Sequence, residues 1–144
     1  MKVISIVGTK KTGKTTLSIA LVSSLAKYGK VGTIKNMVSH PVDQGDTKRH
    51  FDAGADVVIG LGDARLKVTR ERGDLNSALA ELQADGVDYA VVEGFKNSKL
   101  PKFAMADMEV TNCLRKVSLA ELDDDLIAEL TEQVLVLDDY QAER

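Results

Sequence analysis

Residues 8–15 read Gly-Thr-Lys-Lys-Thr-Gly-Lys-Thr. Two glycines with four residues between them, followed at once by a lysine and a hydroxyl, supply what a polyphosphate requires. Gly8 and Gly13 permit backbone conformations and close approaches that a side chain would obstruct. The N–H groups from Gly8 to Thr16, with Thr9, Lys10, Lys11 and Thr12 among them, are candidates to donate to phosphate oxygens, helped by the dipole of a following helix. Lys14 is spaced to reach the β- and γ-phosphates. The Thr15 hydroxyl is spaced to complete a Mg²⁺ shell shared with a nucleotide.

A second constellation is Val87-Asp88-Tyr89-Ala90-Val91-Val92-Glu93-Gly94, an apolar strand that ends in an acid. A phosphate-loop site needs an acid beside Mg²⁺, to hold metal-bound water or to orient the attacking one. Carboxyl ends of parallel strands line the ligand crevice of an open α/β sheet, which puts Glu93 in the right layer. The competing role for an acid at a strand end is an ordinary loop residue.

Positioning these groups requires a strand before Gly8 and a helix after it, and the chain offers both. Val3, Ile4, Ile6 and Val7 form an apolar strand, and Thr15–Tyr28 carries Leu17, Ala20, Leu21, Ser24, Leu25 and Tyr28 on one helical stripe stopped by Gly29. A second strand, Lys30–Lys35, leads into an irregular stretch, Asn36–Gly45, and then a short helix at Thr47–Ala53 ended by Gly54. Val57–Leu61 reads as a buried strand and Arg65–Thr69 as a half-exposed one. Asp74 is an N-cap for a helix with Leu75, Leu79 and Leu82 inward, closing at Gly86 before the buried strand Val87–Val92. Lys102–Leu114 suggests a hairpin at the sheet edge. Ser118 and Glu121 form a capping box for a last helix with Leu119, Leu122, Leu126 and Leu130 inward, and Asp123–Asp125 read as its solvated face. Val134–Leu137 would close the sheet, and Asp138–Arg144 would fray. The alternation predicts a layered α/β protein with a largely parallel sheet and an antiparallel edge hairpin, residues 1–144 making a single nucleotide-binding domain.

Composition narrows the partners. A net charge of −3 argues against a general nucleic-acid binder, and the lysines near the loop suit a local anion. No apolar run approaches a membrane span, and the first strand leaves no room for a signal peptide, so a cytoplasmic protein is expected. The single cysteine, Cys113, has no histidine near it in sequence and reads as a small core or strand residue.

Three pieces taken together suggest a family: the phosphate loop continued by Thr16 and Leu17, Gly-Asp-Thr-Lys-Arg-His-Phe-Asp-Ala-Gly-Ala at Gly45–Ala55, and Val-Val-Glu-Gly-Phe-Lys at Val91–Lys96 trailed by Leu100-Pro101-Lys102. In order and spacing they resemble the molybdopterin-guanine dinucleotide biosynthesis protein B (MobB) family. The resemblance implies a three-layer P-loop NTPase fold and a GTP-binding homodimer with weak GTP hydrolysis. Its implied partners are molybdopterin or its guanine dinucleotide form, and the molybdenum cofactor guanylyltransferase that attaches GMP to it.

Carried over by position, Gly8–Thr16 would hold the triphosphate, and Thr15 and Glu93 would serve Mg²⁺. Asp46 is a candidate for the metal neighbourhood or a switch-like loop, with a helix N-cap as the alternative. Arg49 could contact phosphate or the acidic cofactor, or form a salt bridge; His50 beside it reads as structural. Lys96 and Lys102 could meet anionic phosphates, with a solvated surface lysine the alternative for Lys102. Two departures stand out. Ile34–His40 has Asn36 where the family carries a histidine, and the chain holds no Asn-Lys-x-Asp or Thr-Lys-x-Asp guanine-reading string. Guanine specificity therefore rests on the resemblance.

A slow rate is expected, because no arginine finger or dedicated water-positioning glutamine stands out, with Gln44 or Arg49 as possible exceptions. Two other functions fit the same motif. One is an ATP-dependent small-molecule kinase with its acceptor near Glu93; the other is a non-catalytic, nucleotide-gated adaptor.

Overall fold

The computed structural model describes residues 1–37 and 45–143; His40, Pro41 and Gln44 of the irregular stretch lie outside them. In chain order the elements are β1 (Lys2–Val7), α1 (Lys14–Leu25), β2 (Val31–Lys35), α2 (Gly45–Asp52), β3 (Val57–Leu61), β4 (Arg65–Thr69), α3 (Leu75–Ala84), β5 (Tyr89–Glu93), β6 (Lys102–Met105), β7 (Cys113–Val117), a 3-10 turn at Leu119–Glu121 and α4 (Asp124–Leu135). They fall into two compact units, Met1–Asn36 with Leu75–Arg144, and Met37–Asp74.

In the first unit five strands lie in the order β2-β5-β1-β6-β7, and every neighbouring pair is parallel. Side chains alternate across a strand, so each residue of β1 serves one face. Ile4 and Ile6 pack with Leu17, Leu21 and Leu25 of α1 and Leu126, Leu130 and Val134 of α4. Val3 packs on the other face with Leu79 of α3 and with Ala90, Val92 and Leu100. Helices on both faces make the three layers, and they explain why β1 and β5 are apolar on both faces, with Ser5 the one polar residue inside β1. Each fully buried leucine contributes about 1.5–3 kcal/mol. α1 and α4 are also tied by Thr131 Oγ1, 2.9 Å from Ser24 Oγ.

The antiparallel hairpin exists, but it is β3–β4 in the second unit, with Val57 opposite Thr69 and Leu61 opposite Arg65. At Lys102–Leu114, where a hairpin was expected, β6 and β7 run parallel. Short connections usually join antiparallel strands. Here the strands are so short, about 3.3 Å per residue, that residues 106–112 suffice to return the chain to its starting end.

Other expectations also change. β3 is not buried: Val57, Ile59 and Leu61 are at least half exposed in the described structure. Val134–Leu137 forms no strand, because the helical spacing of Leu126, Leu130 and Val134 carries α4 through Leu135. Asp123 is a cap more than a solvated face, accepting from the Leu126 N–H at 2.8 Å. The Ser118–Glu121 capping box is present, but it caps the 3-10 turn, and Leu119 is half exposed. Tyr28 lies past the end of α1 and is exposed. The tail does not fray at once, since the Tyr140 N–H donates to Met1 O at 2.8 Å and Lys2 Nζ donates to Leu137 O. Cys113 is a half-buried strand residue, as expected.

Candidate functional site

β1 releases the chain at Val7, and the loop 8–13 returns it into α1. The turn is tight enough that glycine is required at both ends. A Cβ on Gly8 would lie 2.6 Å from Thr12 Oγ1 and 2.8 Å from Met105 Cβ. Gly13 has φ +95°, and a Cβ there would lie 2.8 Å from Leu119 Cδ1. Thr12 Oγ1 closes the loop on itself by donating to Thr9 O at 2.8 Å. Gly13 is also the N-cap of α1; it offers no side-chain cap, and the first turn holds no acid. The first N–H groups of α1 are thus left without an intrahelical or capping acceptor, which with the helix dipole makes an anion site.

Parallel pairing puts Glu93 beside Ile6, one residue before β1 ends. From there its carboxylate reaches the start of α1: Thr15 Oγ1 donates to Glu93 Oε1 at 2.8 Å. Lys35 Nζ, from the end of β2, stands 3.9 Å from the same oxygen. The segment after Glu93 is fixed by backbone. Gly94 N–H donates to Ile6 O at 2.9 Å, and Ser5 Oγ, buried in mid-strand, donates to Gly94 O at 2.7 Å. Gly94 (φ +103°) and Phe95 (φ +59°) both take left-handed backbone conformations, which for a phenylalanine costs energy and occurs mostly at functional sites.

Between these segments lies a cleft of about 560 Å³, lined by Gly8, Lys14, Asn36, Gly94, Phe95 and Lys96 among others. Among the described residues the Lys14 ammonium has no hydrogen-bond or ion-pair partner. The fold thus brings together Gly8–Thr16, Glu93 and Lys96. Asp46 and Arg49 belong to the second unit, where both are exposed in the first two turns of α2 and pair with each other at 3.6 Å. Arg49 thus makes a salt bridge, the alternative to a phosphate contact, with Asp46 as its partner. Asp46 is not an N-cap, because α2 begins one residue earlier, at Gly45.

Lys102 departs from both of its expected roles. It is fully buried, and Nζ donates to Ser98 O, Leu100 O and Thr111 O at 2.5, 2.9 and 3.0 Å. Burial pushes its pKa below the ordinary value, with Cys113 opposing more weakly. A buried charge must be fully hydrogen-bonded to be tolerated, and three carbonyls use all three ammonium protons. Sequence gave no sign of this, nor of Ser5, because a lysine beside a proline reads as surface and a serine in an apolar run carries no period.

The sequence model of the family described as molybdopterin guanine dinucleotide synthesis protein B matches residues 3–132. The chain belongs to the MobB family. A candidate molybdopterin-guanine dinucleotide biosynthesis adapter protein of Methanocaldococcus jannaschii is 32% identical over 112 residues, covering 73% of this chain. The chain spans about half the length of that curated relative, 47%. The crystal structure of a MobB protein homolog from Bacillus stearothermophilus matches with a TM-score of 0.74 at 24% identity, over 95% of this chain and 100% of that one. Bacillus subtilis MobB matches with a TM-score of 0.72 at 19% identity, over 93% and 98%. At those identities the two structures speak for the MobB fold alone.

Proposed function

We infer that this MobB-family chain is a GTP-binding accessory protein, with slow GTP hydrolysis, in the synthesis of molybdopterin guanine dinucleotide. The observation that carries the reading is the Thr15–Glu93 hydrogen bond at the mouth of a glycine loop whose lysine has no partner among the described residues. The residues fit Mg²⁺. A hydroxyl has one proton and two lone pairs, so Thr15 can donate to Glu93 and still offer oxygen to a cation. Among the described residues no three His, Cys, Asp or Glu side chains gather into an all-protein cage. Mg²⁺ needs none, since it is bound through one or two protein oxygens, nucleotide phosphates and water. When bound, it would neutralise charge on the phosphates, while Lys14 and the first N–H groups of α1 hold them.

Slow turnover is supported by the described lining of the cleft. Lys14 and Lys96 are its cations, and no arginine or glutamine is among the described residues that line it. Groups of that kind are worth about 10³–10⁵ in rate. Guanine as the base, molybdopterin and its guanylyltransferase as partners rest on family membership. A homodimer is supported by the second unit, whose β3 leaves Val57, Ile59 and Leu61 exposed on one side of a two-stranded ribbon.

Calorimetry with GTP and ATP in Mg²⁺ tests the base and the loop together. GTP should bind more tightly; ATP affinity equal or better, with substrate-dependent ADP release, would favour a kinase instead. The adapter wording in the archaeal relative's name favours a nucleotide-gated adaptor as the second reading. GTP-dependent retention of a cofactor guanylyltransferase by a chain that hydrolyses no GTP would select it.

A further inference from the structure

Two side chains from different elements converge on one carboxylate oxygen. Thr15 Oγ1 donates to Glu93 Oε1 at 2.8 Å, and Lys35 Nζ stands 3.9 Å from the same atom. The two contacts differ in kind. The first has hydrogen-bond length; the second exceeds it, so the ammonium attracts the oxygen through space without sharing a proton. Access to water differs as well, the Glu93 side chain being 13% exposed and that of Lys35 52%. A carboxylate largely withdrawn from water needs a counter-charge, and an ammonium on a half-exposed stem supplies one that can leave.

The backbone fixes where that ammonium starts. Lys35 lies opposite Glu93 in the parallel β2–β5 register, and the next residue, Asn36, donates its N–H to Glu93 O at 2.9 Å. The sheet thus holds the root of the side chain, and only the stem can turn. Among the described residues Lys35 has no other ion-pair or hydrogen-bond partner.

Electrostatics then set an order of events. Any cation held by Glu93 Oε1 would share that oxygen with Lys35 and meet its positive charge. Lys14, whose ammonium has no partner among the described residues, adds to the repulsion. A triphosphate brings enough negative charge to offset both lysines. Resting on the reading that Thr15 and Glu93 serve Mg²⁺, we propose that Lys35 is a resident counter-ion for Glu93. It neutralises the carboxylate while nucleotide is absent, keeps the bare divalent cation out, and yields when the cation arrives with the triphosphate. Lys35 is therefore a positioning residue that acts on the metal through Glu93, and it makes metal binding conditional on nucleotide.

The test uses Mn²⁺ in place of Mg²⁺, because free Mn²⁺ is read directly by electron paramagnetic resonance. Titrated into the full chain without nucleotide, Mn²⁺ should bind Lys35→Met at least about fivefold more tightly than the parent. Lys35→Arg keeps the charge and should bind Mn²⁺ as the parent does. Glu93→Gln added to Lys35→Met should erase the gain. With a non-hydrolysable GTP analogue bound, the difference between Lys35→Met and the parent should fall below about twofold. The proposal is overturned if Lys35→Met gains no Mn²⁺ affinity, if Lys35→Arg gains as much, or if the gain survives Glu93→Gln. Loss of analogue affinity by Lys35→Met in EDTA also overturns it, since the ammonium would then be a phosphate ligand. Should Lys35→Met fail to fold, Lys35→Gln takes its place in every comparison. The metal reading fails separately, if Thr15→Val binds the Mg²⁺–analogue complex as tightly as the parent. A weakened Thr15→Val with no gain in Lys35→Met removes the counter-ion alone.

Discussion

Thr15 Oγ1 donates a 2.8 Å hydrogen bond to Glu93 Oε1, joining the first turn of α1 to the carboxyl end of β5 across 78 residues of sequence. Neither side chain alone marks a metal site. Joined, they present one neutral and one anionic oxygen at the point where a loop-bound triphosphate would place its terminal phosphates.

Thr15→Val keeps the β-branched shape and removes the hydroxyl. If Thr15 serves Mg²⁺, the variant binds Mg²⁺–GTP about 10- to 100-fold more weakly, the loss of one charge-assisted contact. Affinity measured in EDTA should fall much less. Equal losses with and without Mg²⁺ would show that the hydroxyl contributes only to the phosphate cradle.

Glu93→Gln preserves an acceptor for Thr15 and removes the charge. Single-turnover hydrolysis should slow by about 10²-fold or more, the scale of a positioned acid or base, with GTP affinity little changed. An unaltered rate would return Glu93 to the role of a loop residue.

Gly94→Ala should cost about 1–3 kcal/mol of folding stability by urea denaturation. Its φ of +103° is strained for any L side chain, and the new Cβ would lie 2.9 Å from Asn36 Cβ. Wild-type stability in this variant would mean that the Gly94–Phe95 backbone is free to relax.

The sheet and loop were legible because their signals are local. The apolar residues Val3, Ile4, Ile6 and Val7 marked the strand before the loop, and the glycine spacing announced a turn too tight for side chains. What escaped was set by tertiary contact. The parallel β6–β7 pair depends on strand length, which no turn motif encodes. The apolar run at β3 promised burial that the described structure does not supply. Lys102 looked like a surface cation because its three acceptors are carbonyls drawn from 98, 100 and 111.

Lys102 makes stability depend on pH in a definite direction. Its folded pKa lies below 10.5, so between that lowered value and 10.5 the unfolded chain holds more protons than the native one. Native stability therefore rises with pH through this window. Lys102→Met leaves three carbonyls without their donor and should cost about 1–3 kcal/mol at neutral pH. It also lacks the rise, so the gap between parent and variant widens as pH approaches 10.5. A constant or narrowing gap would mean that the carbonyls, favouring the charged form, outweigh burial.

Asp46 offers the cleanest separation of surface chemistry from site chemistry. It and Arg49 are more than four-fifths exposed, and their 3.6 Å ion pair spans one helical turn. Such pairs are worth about 0.2–1 kcal/mol, so Asp46→Ala should hardly move the urea midpoint. Any functional loss then cannot be attributed to unfolding. If Asp46 serves the metal neighbourhood, GTP turnover falls by about tenfold or more in the variant. Arg49→Ala supplies the control, because it breaks the same ion pair and leaves the carboxylate. Equal turnover in Asp46→Ala and the parent chain would assign Asp46 to the helix surface and leave Thr15 and Glu93 as the protein's oxygens for the cation.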